Sequence, residues 1–408
     1  MSKAEGQRRL ESIGATPSML AAAGISCVLV GLLYFFANID LGERPNYSDY
    51  PFGADVPTYL LADGNIDLHW LTTKVLRAYR ALLGVLGIEE TALWAKAPYM
   101  LFGVTNLVLC MGVFAIATGR LSVRSLIYAI TAGLALTIIH FSSLPESYAL
   151  STALYSAYIL GLVYMAARGA SAKLTLGMGF IFLLGLYNDI SILFLTIAPA
   201  IMFGLRLVKE PSGRLFVLVH ALALAAYLLH QIIRMDLLSH YMSFILEYTP
   251  VSEATRADDT RYDFDFIGAV MNFFFYSLCA PRAELTSAPW LSFPDYFGFF
   301  DPSPLSYFSG PAPVLFLACY LALFAFIRAS RVTRLVLGLG AFVLLRFVLV
   351  LLFNPVEAIL YASVAVLPLL FVLFHFLEVS AFRHKTALVA ALAASMLVAN
   401  GQFFFGGG

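Results

Sequence analysis

The feature that most constrains this chain is a series of long apolar runs that recurs from one end to the other. A helix needs about 20 mostly apolar residues to cross the hydrocarbon core of a membrane. About 11 runs approach or reach that length, so we expect an all-α polytopic membrane protein that forms a single integral membrane domain over residues 1–408. The runs occupy approximately residues 17–39, 98–118, 125–141, 148–167, 174–187, 190–205, 215–235, 311–328, 335–352, 358–377 and 386–400.

Composition supports this class and excludes others. Hydrophobic residues make up 61% of the chain and charged residues only 12%, whereas soluble domains carry about a quarter charged residues. The 25 Lys and Arg are balanced by 25 Asp and Glu, which leaves no basic surface for nucleic acid. The four cysteines are scattered singly, so the sequence indicates neither a disulfide framework nor a zinc site.

Two longer hydrophilic stretches, residues 40–97 and 236–310, interrupt the apolar runs. With the N-terminus in the cytoplasm, most basic residues of the short loops fall on the cytoplasmic side, as the positive-inside rule requires. Both long stretches are then extracytoplasmic loops. Their amphipathic segments, Leu68–Leu86 and Phe266–Cys279, are predicted to be interfacial helices on the membrane surface.

Carboxylates are frequent in the first long loop. Asp40, Asp49 and Asp55 follow the first apolar run closely. A carboxylate held at the membrane surface can accept a proton from a hydroxyl that attacks a lipid-borne group. The alternative interpretation is a solvated acidic loop without chemistry.

Ionisable residues also fall at the predicted outer ends of helices. His140 and Glu146 flank the turn between the third and fourth runs, Asp189 lies at the tip of a short hairpin, and Glu357 precedes the tenth run. Ionisable residues at this depth are candidate functional groups. A carboxylate at a helix start can equally cap that helix, so both interpretations stay open.

Arg346 is the most specific single signal, because it lies inside the apolar run 335–352. A guanidinium without a partner at that depth costs a few kcal/mol on insertion scales, so Arg346 must find one. A phosphate is a suitable partner, since guanidinium binds it through two charge-assisted hydrogen bonds. A carboxylate such as Glu357 and a lipid headgroup are the alternatives.

The order of these features resembles the GT-C superfamily of membrane glycosyltransferases, and especially the bacterial family similar to protein O-mannosyltransferases. Asp55 followed by His69 is similar to the first-loop catalytic motif of that family, although Thr58 stands where the family has Glu. Asp40 and Asp49 therefore stay as alternatives to Asp55. Three later segments, residues 145–150, 185–189 and 354–361, resemble further outer turns of the family.

The resemblance implies inverting transfer of a sugar from a polyprenyl-phosphate donor to an acceptor hydroxyl on the extracytoplasmic face. The general base would be Asp55, or alternatively Asp40 or Asp49, and Glu146 would be a further catalytic residue. The donor phosphate would lie near Arg346. The residues expected to bind substrate are His69, His140, Tyr148, Asn188, Asp189, Arg346, Glu357 and Tyr361.

The implied partners are the polyprenyl-phosphate-linked sugar, a glycan, lipid or protein acceptor, and membrane lipid, in a bacterial inner membrane with the site facing the periplasm. We expect no cofactor, although some members of the superfamily use a divalent metal. Three other classes stay open, of which one is a structural or assembly membrane subunit with no active site. An O-antigen ligase or polymerase-type enzyme would use arginines of the second loop, such as Arg256, Arg261 and Arg282. A secondary transporter or flippase would place polar residues near the membrane midplane.

Overall fold

The computed structural model of this protein describes residues 15–38, 69–88, 92–234, 266–280, 285–287, 297–300, 333–353, 358–380 and 382–405. Most of these residues are helical. Its α-helices are α1 (Pro17–Phe36), α2 (Trp70–Val85), α3 (Ala92–Thr118), α4 (Val123–Gly133), α5 (Leu136–Ser143), α6 (Tyr148–Arg168), α7 (Ala172–Asn188), α8 (Ile197–Phe203), α9 (Arg206–Lys209), α10 (Pro211–Arg234), α11 (Phe266–Val270), α12 (Arg334–Phe353), α13 (Ala358–Tyr361), α14 (Val366–Val379) and α15 (Lys385–Phe405). Short 3-10 turns at Ile190–Thr196 and Ser363–Ala365 lead into α8 and α14, and a π-helical turn, Met271–Tyr276, continues α11.

The prediction of a polytopic helical membrane protein is confirmed. Seven stretches of described helix are long and apolar enough to cross a membrane, or eight if the pair α4 and α5 forms one bent span. Two shorter apolar helices, Ala172–Asn188 and Ile190–Phe203, lie where the fifth and sixth spans were predicted. The predicted run 311–328 lies outside the described residues. The total of 11 spans and the cytoplasmic N-terminus therefore stay predictions.

The second long loop contains the one departure from an all-α fold among the described residues. Strands β1 (Leu285–Ser287) and β2 (Phe297–Phe300) pair antiparallel, with Leu285 opposite Phe300 and Ser287 opposite Phe297. A shift of register after Thr286 marks a bulge, which increases the local twist of such a pair. The predicted loop thus carries a small two-stranded sheet as well as helix.

The two predicted interfacial helices have different positions. Helix α2 forms as predicted and buries Thr72, Leu76 and Leu83 while its remaining residues are partly or fully exposed. The segment 266–280, in contrast, packs inside the helix bundle, where Phe273, Tyr276 and most of its neighbours are buried. The prediction of a surface helix is wrong for this segment, because an apolar periodicity does not distinguish a membrane surface from a groove between helices.

Segment 266–280 completes the hydrogen bonding of a break in the third span. The axes of α4 and α5 differ by 64° across Leu134 and Ala135. A break of this kind leaves backbone amides without helical acceptors, which is costly inside a membrane. The amides of Leu136 and Thr137 instead donate to the carbonyl oxygens of Leu278 (3.0 Å) and Ser277 (3.1 Å).

Asn400 on α15 fastens both sides of this junction. Its Nδ2 donates to the carbonyl oxygens of Leu134 (2.7 Å) and Leu278 (3.0 Å). Its Oδ1 accepts from the backbone amide of Ala280 (2.8 Å). One fully buried side chain therefore joins α15, the break in the third span and the inserted segment.

A close helix contact sets the position of Arg346. A Cβ placed on Gly338 of α12 would lie only 2.7 Å from the carbonyl oxygen of Ala198, so the two backbones meet there because Gly has no side chain. Arg346 lies about 12 Å further along α12, since each helical residue rises about 1.5 Å. This places Arg346 beside Asp189, where the chain enters the turn that leads to α8.

Replacing Asn400 by Leu is expected to lower the free energy of unfolding by on the order of 2 kcal/mol, because three buried backbone groups each lose one hydrogen bond. The measurement is chemical unfolding in detergent, with hydrogen exchange followed over residues 277–280. Gln402→Leu, at an exposed position of the same helix, is the matched control. Equal stability of the two variants would contradict the assigned role of Asn400.

Candidate functional site

Arg346 is buried, with only 6% of its surface exposed. Its Nη2 lies 4.0 Å from Asp189 Oδ2, and its Nε donates to the carbonyl oxygen of Tyr361 at 3.3 Å. The guanidinium also lies over the ring of Tyr361, 5.4 Å from the centroid. The predicted need for a partner is met by a carboxylate, which is Asp189. Glu357, the carboxylate that the sequence indicated, lies outside the described residues.

Asp189 has two separate interactions, one for each carboxylate oxygen. Oδ1 caps the turn that follows, accepting from the backbone amide (2.9 Å) and the hydroxyl (2.6 Å) of Ser191. Oδ2 faces Arg346 and accepts from the Tyr155 hydroxyl at 3.3 Å. Asp189 therefore caps the following turn with one oxygen and faces the buried Arg346 guanidinium with the other.

Asn188 is the centre of a fully buried hydrogen-bond network. Its Oδ1 accepts from the backbone amide (3.1 Å) and the hydroxyl (2.6 Å) of Thr72. Its Nδ2 donates to the carbonyl oxygen of Ser147 (3.2 Å) and to the Ser151 hydroxyl (2.8 Å). Its own carbonyl oxygen accepts from His69 Nδ1 at 2.6 Å. This network, which we call the Asn188 network, joins α2, α6 and α7.

His69 is a hydrogen-bond donor in this network. A carbonyl oxygen can only accept, so Nδ1 of His69 carries a proton and donates it to this bond. Nε2 makes no hydrogen bond with the residues that the structure describes. The His69 ring lies 6.3 Å from the ring of Tyr148. The bond to Asn188 therefore holds the His69 ring beside Tyr148.

Tyr148 connects the Asn188 network with Arg346. Its ring centroid lies 6.2 Å from that of Tyr361, whose ring faces the guanidinium. Phe141 packs against its other side at 4.7 Å. The structure thus brings His69, Tyr148 and Tyr361 into one aromatic row, and we call the end of the bundle that contains this row the outer end.

Glu146 and His140 also lie at the outer end, in different surroundings. Glu146 is buried, and its Oε1 accepts from the amide (2.8 Å) and hydroxyl (3.1 Å) of Ser147 at the start of α6. These bonds hold the carboxylate against the residue that precedes α6, although no side chain caps the first turn of that helix. His140 is fully buried against the rings of Phe141 and Phe404, 5.0 and 6.3 Å away. The predicted substrate contacts of both residues stay predictions.

The first-loop candidates Asp40, Asp49 and Asp55 lie outside the described residues. The structure does describe the point where their loop begins. Asn38 has a positive φ of 50°, and its Nδ2 donates to Ser143 Oγ at 2.7 Å. The loop therefore leaves α1 beside the turn that carries Glu146.

Lys96 is a residue of the outer end that the sequence reasoning missed. It is almost fully buried, and its Nζ donates to the carbonyl oxygens of Phe35 (2.8 Å), Ala37 (2.6 Å) and Asn38 (3.1 Å). These carbonyls belong to the C-terminal end of α1, where a cation is favourable. The sequence does show a lysine next to an apolar run. It does not show that this lysine binds three backbone carbonyl oxygens of another helix.

No group of three or more His, Cys, Asp or Glu able to hold a metal ion occurs in the part of the chain that the structure describes. Comparison of the sequence with models of known protein families gives no match, and comparison with curated proteins gives none either.

Replacing Thr72 by Val is expected to lower the free energy of unfolding by about 1 to 2 kcal/mol, because the buried Asn188 Oδ1 loses a donor while shape is conserved. The measurement is chemical unfolding in detergent. Thr73→Val is the control, since among the described residues the Thr73 hydroxyl bonds only to the carbonyl oxygen of His69, at 3.3 Å. An equal decrease in the free energy of unfolding in both variants would contradict a stabilising role of the Asn188 network.

Proposed function

We propose that this protein is a membrane glycosyltransferase that transfers a sugar from a polyprenyl-phosphate donor to an acceptor hydroxyl at the outer end of the bundle. The observation that carries the proposal is the buried Arg346, held beside Asp189 and Tyr361 and close to the Asn188 network. Buried arginines in membrane helices are expensive, and they occur mainly where a charge or ligand requires them.

Arg346 has hydrogen-bonding capacity left for a phosphate. Its contact with Asp189, at 4.0 Å, exceeds hydrogen-bonding distance, and Nη1 makes no hydrogen bond with the described residues. Asp189 balances the charge of the guanidinium when no polyprenyl-phosphate sugar is bound. A phosphate group bound near Arg346 would accept hydrogen bonds from the guanidinium N–H groups that Asp189 does not use. Guanidinium can bind phosphate in this way through two parallel hydrogen bonds.

The proposed reaction is an inverting displacement. An acceptor oxygen attacks the anomeric carbon, its proton passes to a first-loop carboxylate, and the bond between that carbon and the phosphate oxygen breaks. Asp55 is the proposed base, with Asp40 and Asp49 as alternatives. Negative charge that develops on the departing polyprenyl phosphate is stabilised by Arg346.

The aromatic row supports binding of the sugar and the acceptor. Nε2 of His69 can form a hydrogen bond with a hydroxyl group, and Tyr148 and Tyr361 offer flat apolar faces next to it. Asn188 fixes His69 through its carbonyl oxygen, so the ring orientation is set before substrate binds. Glu146, His140 and Glu357 complete the proposed set at the outer end, which we place on the periplasmic face of a bacterial inner membrane.

The test is sugar transfer by the purified protein from a radiolabelled polyprenyl-phosphate sugar to glycan, lipid and protein acceptors. Arg346→Gln is expected to reduce the rate on the order of 100-fold, because charge on the leaving phosphate loses its partner. Arg346→Lys is expected to retain part of the activity, which separates loss of charge from loss of folding. Glu210→Gln, in an exposed ion pair with Arg206, is the control and should behave as wild type.

The same assay has outcomes that refute the proposal. No transfer from any donor, or full activity of Arg346→Gln, would remove its basis. Full activity in each of Asp40→Asn, Asp49→Asn and Asp55→Asn would exclude a first-loop base. Movement of the lipid-linked sugar across proteoliposomes without transfer would favour the transporter alternative.

A further inference from the structure

A polar cavity lies at the opposite end of the bundle from Arg346. It has a volume of about 420 Å³ and is lined by Thr118, Arg120, Ser122, Val123, Arg124 and Thr386. These residues come from the end of α3, the start of α4 and the start of α15. Two guanidinium groups and three hydroxyl groups thus surround one concave space, which we call the inner cavity.

The two arginines of the inner cavity differ in their hydrogen-bond partners. Arg124 is held in place by Glu378, whose oxygens accept from its Nη1 at 3.0 and 3.2 Å, and by Thr386 Oγ1, which accepts from its Nε at 3.2 Å. The Arg120 side chain makes no hydrogen bond or ion pair with the residues that the structure describes. The inner cavity therefore combines a fixed guanidinium with one whose charge the described residues leave uncompensated.

Glu378 interacts with three other side chains of the protein. Besides Arg124, it accepts from the Tyr128 hydroxyl, while Lys385 binds the Glu378 backbone carbonyl oxygen. The Glu378 carboxylate thus balances Arg124, and the charge of Arg120 remains at the cavity. An anion is the ligand that such a cavity favours, and hydroxyl and guanidinium donors together suit phosphate oxygens.

The position of the inner cavity indicates where that phosphate comes from. The cavity lies where α3 ends and where α4 and α15 begin, and the ends of membrane-spanning helices lie near the lipid headgroups. Its one apolar lining residue, Val123, is 59% exposed, so an acyl chain can lie beside it. Basic pockets between membrane helices at a membrane surface bind anionic lipid headgroups.

We propose that the inner cavity is a binding site for the phosphate of an anionic phospholipid, with Arg120 and Arg124 as its cationic ligands. The site is distinct from the proposed donor site at the outer end, and it does not depend on the proposed glycosyl transfer. Bound lipid would join α3, α4 and α15 at their inner ends, and so stabilise the bundle where α15 begins.

The experiment measures lipid binding to the detergent-purified protein by native mass spectrometry and by the midpoint of thermal unfolding. The probes are phosphatidylglycerol, phosphatidylcholine and inorganic phosphate. Phosphatidylglycerol is expected to bind saturably and to raise the midpoint more than phosphatidylcholine does. Arg120→Gln is expected to weaken that binding about fivefold, the effect of one basic residue near a membrane surface.

Two further variants keep the test decisive. Arg168→Gln removes an exposed arginine that lies over the ring of Tyr164, outside the cavity, and should bind phosphatidylglycerol as wild type does. Arg124→Lys keeps the charge but loses the fixed geometry, so we expect intermediate binding. Equal weakening in Arg120→Gln and Arg168→Gln, or no preference for phosphatidylglycerol, would overturn the site. Inorganic phosphate that binds as tightly as phosphatidylglycerol would overturn the lipid assignment.

Discussion

A polar group buried between membrane helices has no water to bond with, so it must find its partners inside the protein. The outer end of this bundle depends on how that constraint is met at Asn188. The side-chain amide of Asn188 makes four hydrogen bonds, two with Thr72 and one each with Ser147 and Ser151. Its backbone carbonyl oxygen accepts a fifth from His69. An apolar residue at position 188 would leave the buried groups of Thr72, Ser147 and Ser151 without this partner, whereas the bond from His69 to the backbone carbonyl oxygen would remain.

The same constraint orders the site. Asp189 follows Asn188 directly, so the network that fixes the end of α7 also fixes the carboxylate that faces Arg346. Gly338 brings α12 against Ala198 and thereby sets the depth of the guanidinium. Lys96 fixes the end of α1, where the first loop begins. Among the described candidates, Asn188, Asp189 and Arg346 are thus held by packed helices, which is the kind of support that an active site needs.

The sequence located the apolar helices that the structure describes and singled out Arg346 and Asp189, but it did not predict their contact. Apolar runs located the membrane helices because the length of a span is set by membrane thickness. Arg346 and Asp189 were each identified as unusual, yet their contact joins residues 157 positions apart, and no local pattern predicts it. Lys96 was missed because its partners are backbone carbonyls.

The inserted segment 266–280 was mispredicted for a related reason. Its apolar residues fit a surface helix, a span and a segment buried between helices equally well. What decides among them is the break at Leu134, whose neighbouring amides need acceptors, and Asn400, which lies far away in the chain. Long-range hydrogen bonding of this kind has no signature in the spacing of residues.

The central claim is that the outer end binds a polyprenyl-phosphate sugar at Arg346. It is tested most directly by photolabelling with a polyprenyl-phosphate sugar that carries a photoreactive group next to the phosphate, followed by peptide mapping. We expect labelling of peptides that contain Tyr148, Asp189 or Tyr361, and loss of that labelling with excess unlabelled polyprenyl phosphate or in Arg346→Gln. Labelling confined to other peptides, or labelling that Arg346→Gln leaves unchanged, would contradict the claim.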